Sequence, residues 1–267
     1  MVSSHSAFAR GDRLTYGPTR LVFVTTILRK VRWTLPVRKI PMNYRHITGL
    51  APSNKNNTMV AYEGSIERDL TILAGFSQTV AKFEEQPVRI YYTDQFNKKR
   101  SYIPDLLATL RDDAAKAMGV TAILFEVKEW TDLFEQLPGL KPKFRAARAH
   151  ARERNWKFKL ITDRQIRTSY LDNARFLLRF RYLPLDQAHT EILLNAMREL
   201  RESNPDTLLL TVSGDLTTRL KLLTSLWQLV ANRVIGADLT RPLTMCSPIW
   251  LIGPGKEWID QCPVFSI

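Results

Sequence analysis

The first strong periodic signal follows Gly64. Over residues 65–76 the apolar positions Ile66, Leu70 and Leu73 recur at i, i+4 and i+7, the spacing of one helix face. Ser65 is placed to cap this helix, and Glu67 and Asp69 fall in its first turn, where the helix dipole favours acids. Val88-Arg89-Ile90-Tyr91-Tyr92 is β-branched and aromatic and is announced by Gln86-Pro87, so it predicts a strand. A polar turn over 93–99 leads to Arg100-Ser101-Tyr102-Ile103, the second arm of a hairpin, and Pro104-Asp105-Leu106-Leu107 follows at once. A third strand is expected over 122–128, mostly apolar with Glu126 and Lys128 near its end. Residues 144–154 read as an Ala/Arg-rich helix and 156–161 as a fourth strand. That order predicts a mixed α/β layer.

The pattern changes beyond residue 168. Amphipathic helices are expected over 186–201 and 216–231, the second with Leu220, Leu223, Trp227 and Val230 on one stripe. After Gly236, two short apolar-rich segments, 239–245 and 248–252, are joined by a turn. Helices followed by a small hairpin suggest a winged-helix-like module. No internal repeat is visible.

Composition narrows the class. Of 267 residues, 45% are hydrophobic and 24% charged, ordinary globular values that argue against a disordered or fibrous chain. The longest apolar runs fall far short of the ~18–20 residues needed to span a bilayer. Two cysteines, Cys246 and Cys262, cannot build a disulfide framework or a Cys-rich zinc site, and they fit a reducing cytoplasmic setting.

Charge then divides the chain. Lys and Arg number 39 against 26 Asp and Glu, a net +13, which implies a polyanionic partner. Residues 1–45 carry nine basic groups and one acid; residues 46–140 carry ten and thirteen. Residues 141–167 carry ten basic groups and two acids, and residues 168–267 ten of each. Two blocks of +8 thus flank a mildly acidic middle, ahead of a neutral final stretch. The expected organisation is a basic N-terminal extension over 1–37, poorly ordered in part, a catalytic domain over 38–167 and an interaction domain over 168–267. Residues 1–19 lack periodicity. The apolar stretch 21–28 is followed by Arg29-Lys30-Val31-Arg32 rather than a small-residue cleavage site, so it reads as a short strand, a helix turn or an extended start rather than a signal peptide.

Three acids and one lysine carry the candidate chemistry. Glu67 lies on the first helix, and Asp105 follows Pro104 where the hairpin arm ends. Glu126 and Lys128 are two apart on a strand and project from one face, opposite Phe125 and Val127. Charged groups on an otherwise apolar strand are costly to bury without compensation. A divalent cation between Asp105 and Glu126 supplies it, since Mg²⁺ takes one or two carboxylates and completes its shell with water and phosphate. Pro-Asp…Glu-x-Lys is the pattern of restriction-endonuclease-like nucleases. Phosphodiester hydrolysis needs an activated water and neutralisation of charge growing on phosphoryl oxygens, which a cation and Lys128 provide. Glu67 is placed to complete the shell, for one metal or two. The basic blocks supply phosphate contacts, with Lys55, Lys98, Lys99, Arg100, Lys141, Lys143, Arg145 and Arg148 as candidates. His46, His150 and His189 are isolated. Gly253-Pro254-Gly255-Lys256 lacks phosphate-loop spacing. Trp227 reads as core, while Trp130 is open to either DNA contact or packing beneath the site.

A resemblance sharpens this. Arg38-Lys39-Ile40, Thr48-Gly49, 52–56 as Pro-Ser-Asn-Lys-Asn, 63–69 as Glu-Gly-Ser-Ile-Glu-Arg-Asp, 83–88 as Phe-Glu-Glu-Gln-Pro-Val, Tyr102-Ile103-Pro104-Asp105 and Phe125-Glu126-Val127-Lys128 resemble TnsA. The likeness continues through Lys143-Phe144, Trp156-Lys157-Phe158 and 162–173 and covers roughly residues 38–267. TnsA is the endonuclease subunit of heteromeric transposases, including those of RNA-guided transposons. The resemblance implies a restriction-endonuclease-like domain that cuts the 5′ ends of a transposon. A TnsB-type recombinase acts on the 3′ ends, and a TnsC-type AAA+ ATPase contacts the C-terminal domain. It also implies catalysis by Glu67, Asp105, Glu126 and Lys128, with Mg²⁺ (or Mn²⁺ as a substitute) held by the three acids. The best-known member has Gln where Glu126 stands, so the metal bond at that position is the less secure one. A stand-alone restriction- or resolvase-type nuclease and a non-catalytic DNA-binding scaffold remain as alternatives.

Overall fold

A four-stranded mixed sheet organises the first half of the protein. The computed structural model describes residues 48–53, 55, 58–253 and 262–265. The expected N-terminal extension and the 21–28 stretch lie outside the described residues. The strands β1 (Thr48–Ser53) and β2 (Thr58–Glu63) pair antiparallel and lead into helix α1 (Ser65–Phe76). Next come β3 (Val80–Glu85), the hairpin β4 (Ile90–Thr93) and β5 (Lys99–Tyr102), and β6 (Leu106–Leu110). After α2 (Asp112–Met118), β7 (Ala122–Lys128), α3 (Trp130–Arg152) and β8 (Trp156–Thr162) complete the layer. The sheet order is β3-β6-β7-β8, antiparallel except for the β7–β8 pair.

The alternation of β7 sorts its two faces. Ile123, Phe125 and Val127 enter a core that also contains Leu70 and Leu73 of α1. Ala122 and Leu124 join a second cluster with Ile90, Tyr102 and Ala147, beneath the hairpin and α3. Glu126 and Lys128 share the parity of that second face.

The second half is mostly helical. It runs α4 (Asp163–Ile166), α5 (Ser169–Arg181), α6 (Gln187–Leu200), β9 (Glu202–Ser203), α7 (Pro205–Val212) and α8 (Leu216–Ala231). The short strands β10 (Ile235–Ala237) and β11 (Ile249–Leu251) join β9 in a three-stranded sheet ordered β10-β11-β9. Tyr170, Leu171, Ala174 and Leu177 of α5 belong to the same apolar core as α1 and the sheet, so burial is continuous across residue 168. Among the described residues, no helix is long and apolar enough to cross a membrane.

Several local expectations change. α1 begins at Ser65, but Gly64 occupies the cap position and makes no side-chain cap. The Ser65 hydroxyl instead accepts a 2.6 Å hydrogen bond from Arg167. α3 starts at Trp130 rather than 144 and runs through Pro138 and Pro142, residues that ordinarily interrupt a helix. On α8, Trp227 and Val230 are buried but Leu220 is exposed, and the buried row continues through Leu222, Leu226 and Leu229. The C-terminal hairpin pairs Ile235–Ala237 with Ile249–Leu251, and 239–245 is not one of its arms. The reason is Asn173, whose side chain donates to the carbonyls of Leu239 and Arg241 and accepts from the Leu243 N–H. That holds the segment as a loop. Gly236 lies directly against the Trp250 indole, where a Cβ would collide with the ring.

Candidate active site

The site forms where β6 begins and β7 ends. Leu106 pairs with Phe125, and the Asp105 N–H donates to the Phe125 carbonyl at 3.1 Å. Continuing that antiparallel register puts Asp105 across from Glu126. The Val127 N–H donates to Asp105 Oδ2 at 2.6 Å, which fixes the carboxylate against the end of β7. Glu67 reaches the same place from α1. It lines a small cleft with Leu70, Thr71, Glu85, Asp105 and Leu106. The four residues expected from the sequence are therefore brought together.

Their electrostatics are strained in one direction. Burial, then the nearby charges of Glu126 and Glu67, push the Asp105 carboxyl well above the usual carboxylate range, against the opposing pull of Lys128 and the Val127 N–H. Burial alone would lower the Lys128 ammonium, but Glu126, Asp105 and Glu67 outweigh it and hold Lys128 above the ordinary lysine value. Lys128 stays charged. Burial, Glu126 and Asp105 likewise push the Tyr102 hydroxyl far up, so that phenol stays neutral.

Glu126 is the most unusual member. It is 1% exposed. Its Oε1 accepts from Lys128 at 2.9 Å and from Lys143 at 2.5 Å. Its Oε2 is buried with no hydrogen-bond partner, as is the hydroxyl of Tyr102. A buried carboxylate oxygen left bare costs free energy on the order of 1–3 kcal/mol or more, and a cation beside it removes that cost. Among the described residues, no three His, Cys, Asp or Glu side chains are drawn together closely enough to hold a metal ion by themselves.

Residues 77–163 match the family model for the N-terminal part of TnsA-like endonucleases. The TnsA-like region contains Asp105, Glu126, Lys128 and Lys143, and it stops short of Glu67 on its N-terminal side. No curated protein matches the chain.

The structure redistributes the candidate phosphate contacts. Lys55 is not displayed to solvent as a DNA ligand: its ammonium donates to the carbonyls of Ala74 (2.9 Å), Val80 (2.6 Å) and Ser77, closing the C-terminal end of α1. Lys143 belongs to the candidate site itself, paired with Glu126 and 4.5 Å above the Tyr102 ring. Lys98, Lys99, Lys141, Arg145 and Arg148 are exposed. Arg100 is exposed too, but it pairs with Asp94 at 3.0 Å. Trp130 does not pack beneath the site; it is 41% exposed, with Arg164 stacked over its ring. His189 pairs with Asp186, and His150 lies beside Trp156, while His46 is outside the described residues.

Three site residues were not expected as such: Lys143, Tyr102 and Glu85. The signal for Tyr102 was available, since it ends β5 three residues before Asp105. Lys143 needed the full length of α3, and Glu85 needed strand β3, which pairs Glu85 with Leu106.

Proposed function

We propose that this protein is a metal-dependent DNA endonuclease that cuts the 5′ ends of a transposon as a subunit of a heteromeric transposase. The observation that carries the reading is Glu126: both lysines sit on one oxygen while the other is buried and bare, on a residue that stands across from Asp105 in the strand register. The family match over 77–163 supports the nuclease class and its link to transposition.

Asp105 and Glu126, with Glu67 behind them, would hold Mg²⁺ or Mn²⁺, and water and phosphate oxygens would complete a shell that the protein alone does not fill. The ion would polarise the phosphoryl group and assist ionisation of the attacking water. The chain's own groups do the remaining work. Lys143 keeps Glu126 Oε1 fixed, so Oε2 keeps its aim when Lys128 turns to a phosphate. Lys128, held charged, stabilises negative charge developing on phosphoryl oxygens. Tyr102, held neutral, offers an O–H donor to an anionic substrate. Exposed Lys141, Arg145 and Arg148 on α3 would bind the DNA backbone. The mostly helical second half, with no net charge, suits contact with a TnsC-type ATPase, while a TnsB-type recombinase would act on the other strand. A cytoplasmic location accords with these partners.

The test is 5′-end cleavage mapping with purified candidate partners and Mg²⁺. Asp105→Ala should lower cleavage by at least about 10³-fold with partner binding intact. Retained 5′ cleavage in that variant would overturn the proposal, and robust plasmid cutting by the chain alone would point to a stand-alone nuclease.

A further inference from the structure

The β4–β5 hairpin has one covered face and one open face. Ile90 and Tyr102 are buried on the inner side with Leu107, Leu124 and Ala147. On the outer side, Tyr91 is 76% exposed opposite Ser101, and Lys99 faces the same way opposite Thr93. Arg89 lies alongside, with its guanidinium 3.5 Å from the Ser101 hydroxyl. At the tip, Phe96 is 71% exposed between Gln95 and Asn97.

The turn does not need that ring. Asp94 Oδ1 accepts from the N–H groups of Phe96 and Lys98, both at 2.9 Å. Asn97 takes the left-handed conformation with φ 59, as such turns allow for Asn. The tip is shaped by its backbone, and Phe96 is presented on it as a spare apolar side chain. Asp94 is the sole carboxylate over residues 88–103, and Arg100 pairs with it at 3.0 Å. The outward charge is then Arg89, Lys98 and Lys99. A protein partner would favour a broad apolar patch around the aromatic ring, whereas lysines, Gln and Asn around the exposed Phe96 ring suit a nucleic acid.

The root of the hairpin sits in the active site, with the Tyr102 ring 4.5 Å beneath Lys143 and Asp105 three residues further on. At about 3.3 Å per strand residue the tip lies roughly 15 Å from that root, or about four to five base pairs along a duplex. We infer that this hairpin grips duplex DNA beside the scissile phosphate, with Arg89, Lys98 and Lys99 on the backbone and Phe96 wedged against a base step. The inference rests on reading the site as a DNA nuclease and adds how the substrate is engaged.

The experiment uses the full chain and a 40-base-pair duplex carrying one 2-aminopurine walked along its length. The wild type should raise fluorescence at one position through unstacking. Phe96→Ser should abolish that rise and weaken binding about tenfold, while Phe96→Trp keeps both. The double variant Lys98→Gln, Lys99→Gln should weaken binding and lower the salt slope by about two. Wild-type behaviour in Phe96→Ser, or no fluorescence response to the wild type at any position, overturns the inference. Asp105→Asn separates it from the nuclease reading, because that variant should bind and unstack as the wild type does without cutting. Unstacking by a wild type that never cuts, even with the purified candidate partners and Mg²⁺ added, supports the hairpin and overturns the nuclease; cutting in that mixture with Phe96→Ser unchanged does the reverse.

Discussion

Asp69 and Glu126 are both 1% exposed, and each is paired with more than one cation, at least one of them from a distant part of the chain. Around Asp69 the cations divide between the oxygens: Arg167 holds Oδ2 at 3.0 Å, while Arg175, with Arg68 at 3.3 Å, takes Oδ1. Around Glu126 both cations crowd Oε1, and Oε2 has no hydrogen-bond partner. The first cluster is complete, and its arginine forks suit a fixed ion pair. The second leaves Oε2 without a hydrogen-bond partner. The two buried acids differ less in how many cations they meet than in how those cations are distributed over their two oxygens.

The Asp69 cluster also has a mechanical consequence. Arg167 binds both Asp69 and the Ser65 hydroxyl, and Arg175 comes from α5. The turn of α1 that presents Glu67 is thereby tied to the helical half.

The comparison can be broken first at its structural side. Asp69→Ala leaves three partly exposed arginines without their carboxylate and should cost about 2–3 kcal/mol, lowering the melting temperature by roughly 4–12 °C at this size. A loss below about 0.5 kcal/mol in denaturant unfolding would show that the cluster is ornamental.

A smaller effect of opposite sign is expected at the chemical side. Asp105 has its carboxyl raised in the folded state by burial, Glu126 and Glu67. Its contribution is therefore fully favourable below the ordinary carboxylate value near 4, and is lost as pH rises through the folded value. Asp105→Asn has no charge to bury and still accepts from the Val127 N–H. In chelator at neutral pH it should be more stable than the wild type by about 0.5–2 kcal/mol, the gap closing as pH falls toward 4. A gap that widens on acidification would contradict the assignment.

Much of this was legible in the residues. β7 was readable because its apolar run is broken only by Glu126 and Lys128, and that interruption is the site itself. α8 was readable because turn residues bound a helical spacing on both sides. Lys143 was not, since Pro138 and Pro142 hid the front of α3 and the helix register with it. Lys55 looked like a basic loop residue because its partners are backbone carbonyls 19 to 25 positions away, which no side-chain pattern encodes. β6 was missed for a related reason: Leu106, Leu107, Ala108 and Leu110 are apolar toward both cores, so the period-2 signal of a half-buried strand is absent. Asp69 read as an ordinary first-turn acid, because its arginines arrive only when α5 packs on α1.

We propose that the open oxygen of Glu126 and the raised carboxyl of Asp105 belong to a cation site, while Asp69 does not. Calorimetric titration of the full chain with Mn²⁺ tests it without relying on cleavage. The wild type should bind Mn²⁺ more tightly as pH rises, because the ion competes with protons for Asp105, whose carboxyl is raised by burial, Glu126 and Glu67. Asp105→Asn should lose that binding by at least about tenfold, and Asp69→Asn should keep it. Equal Mn²⁺ binding by the wild type and Asp105→Asn, or loss confined to Asp69→Asn, would contradict the account.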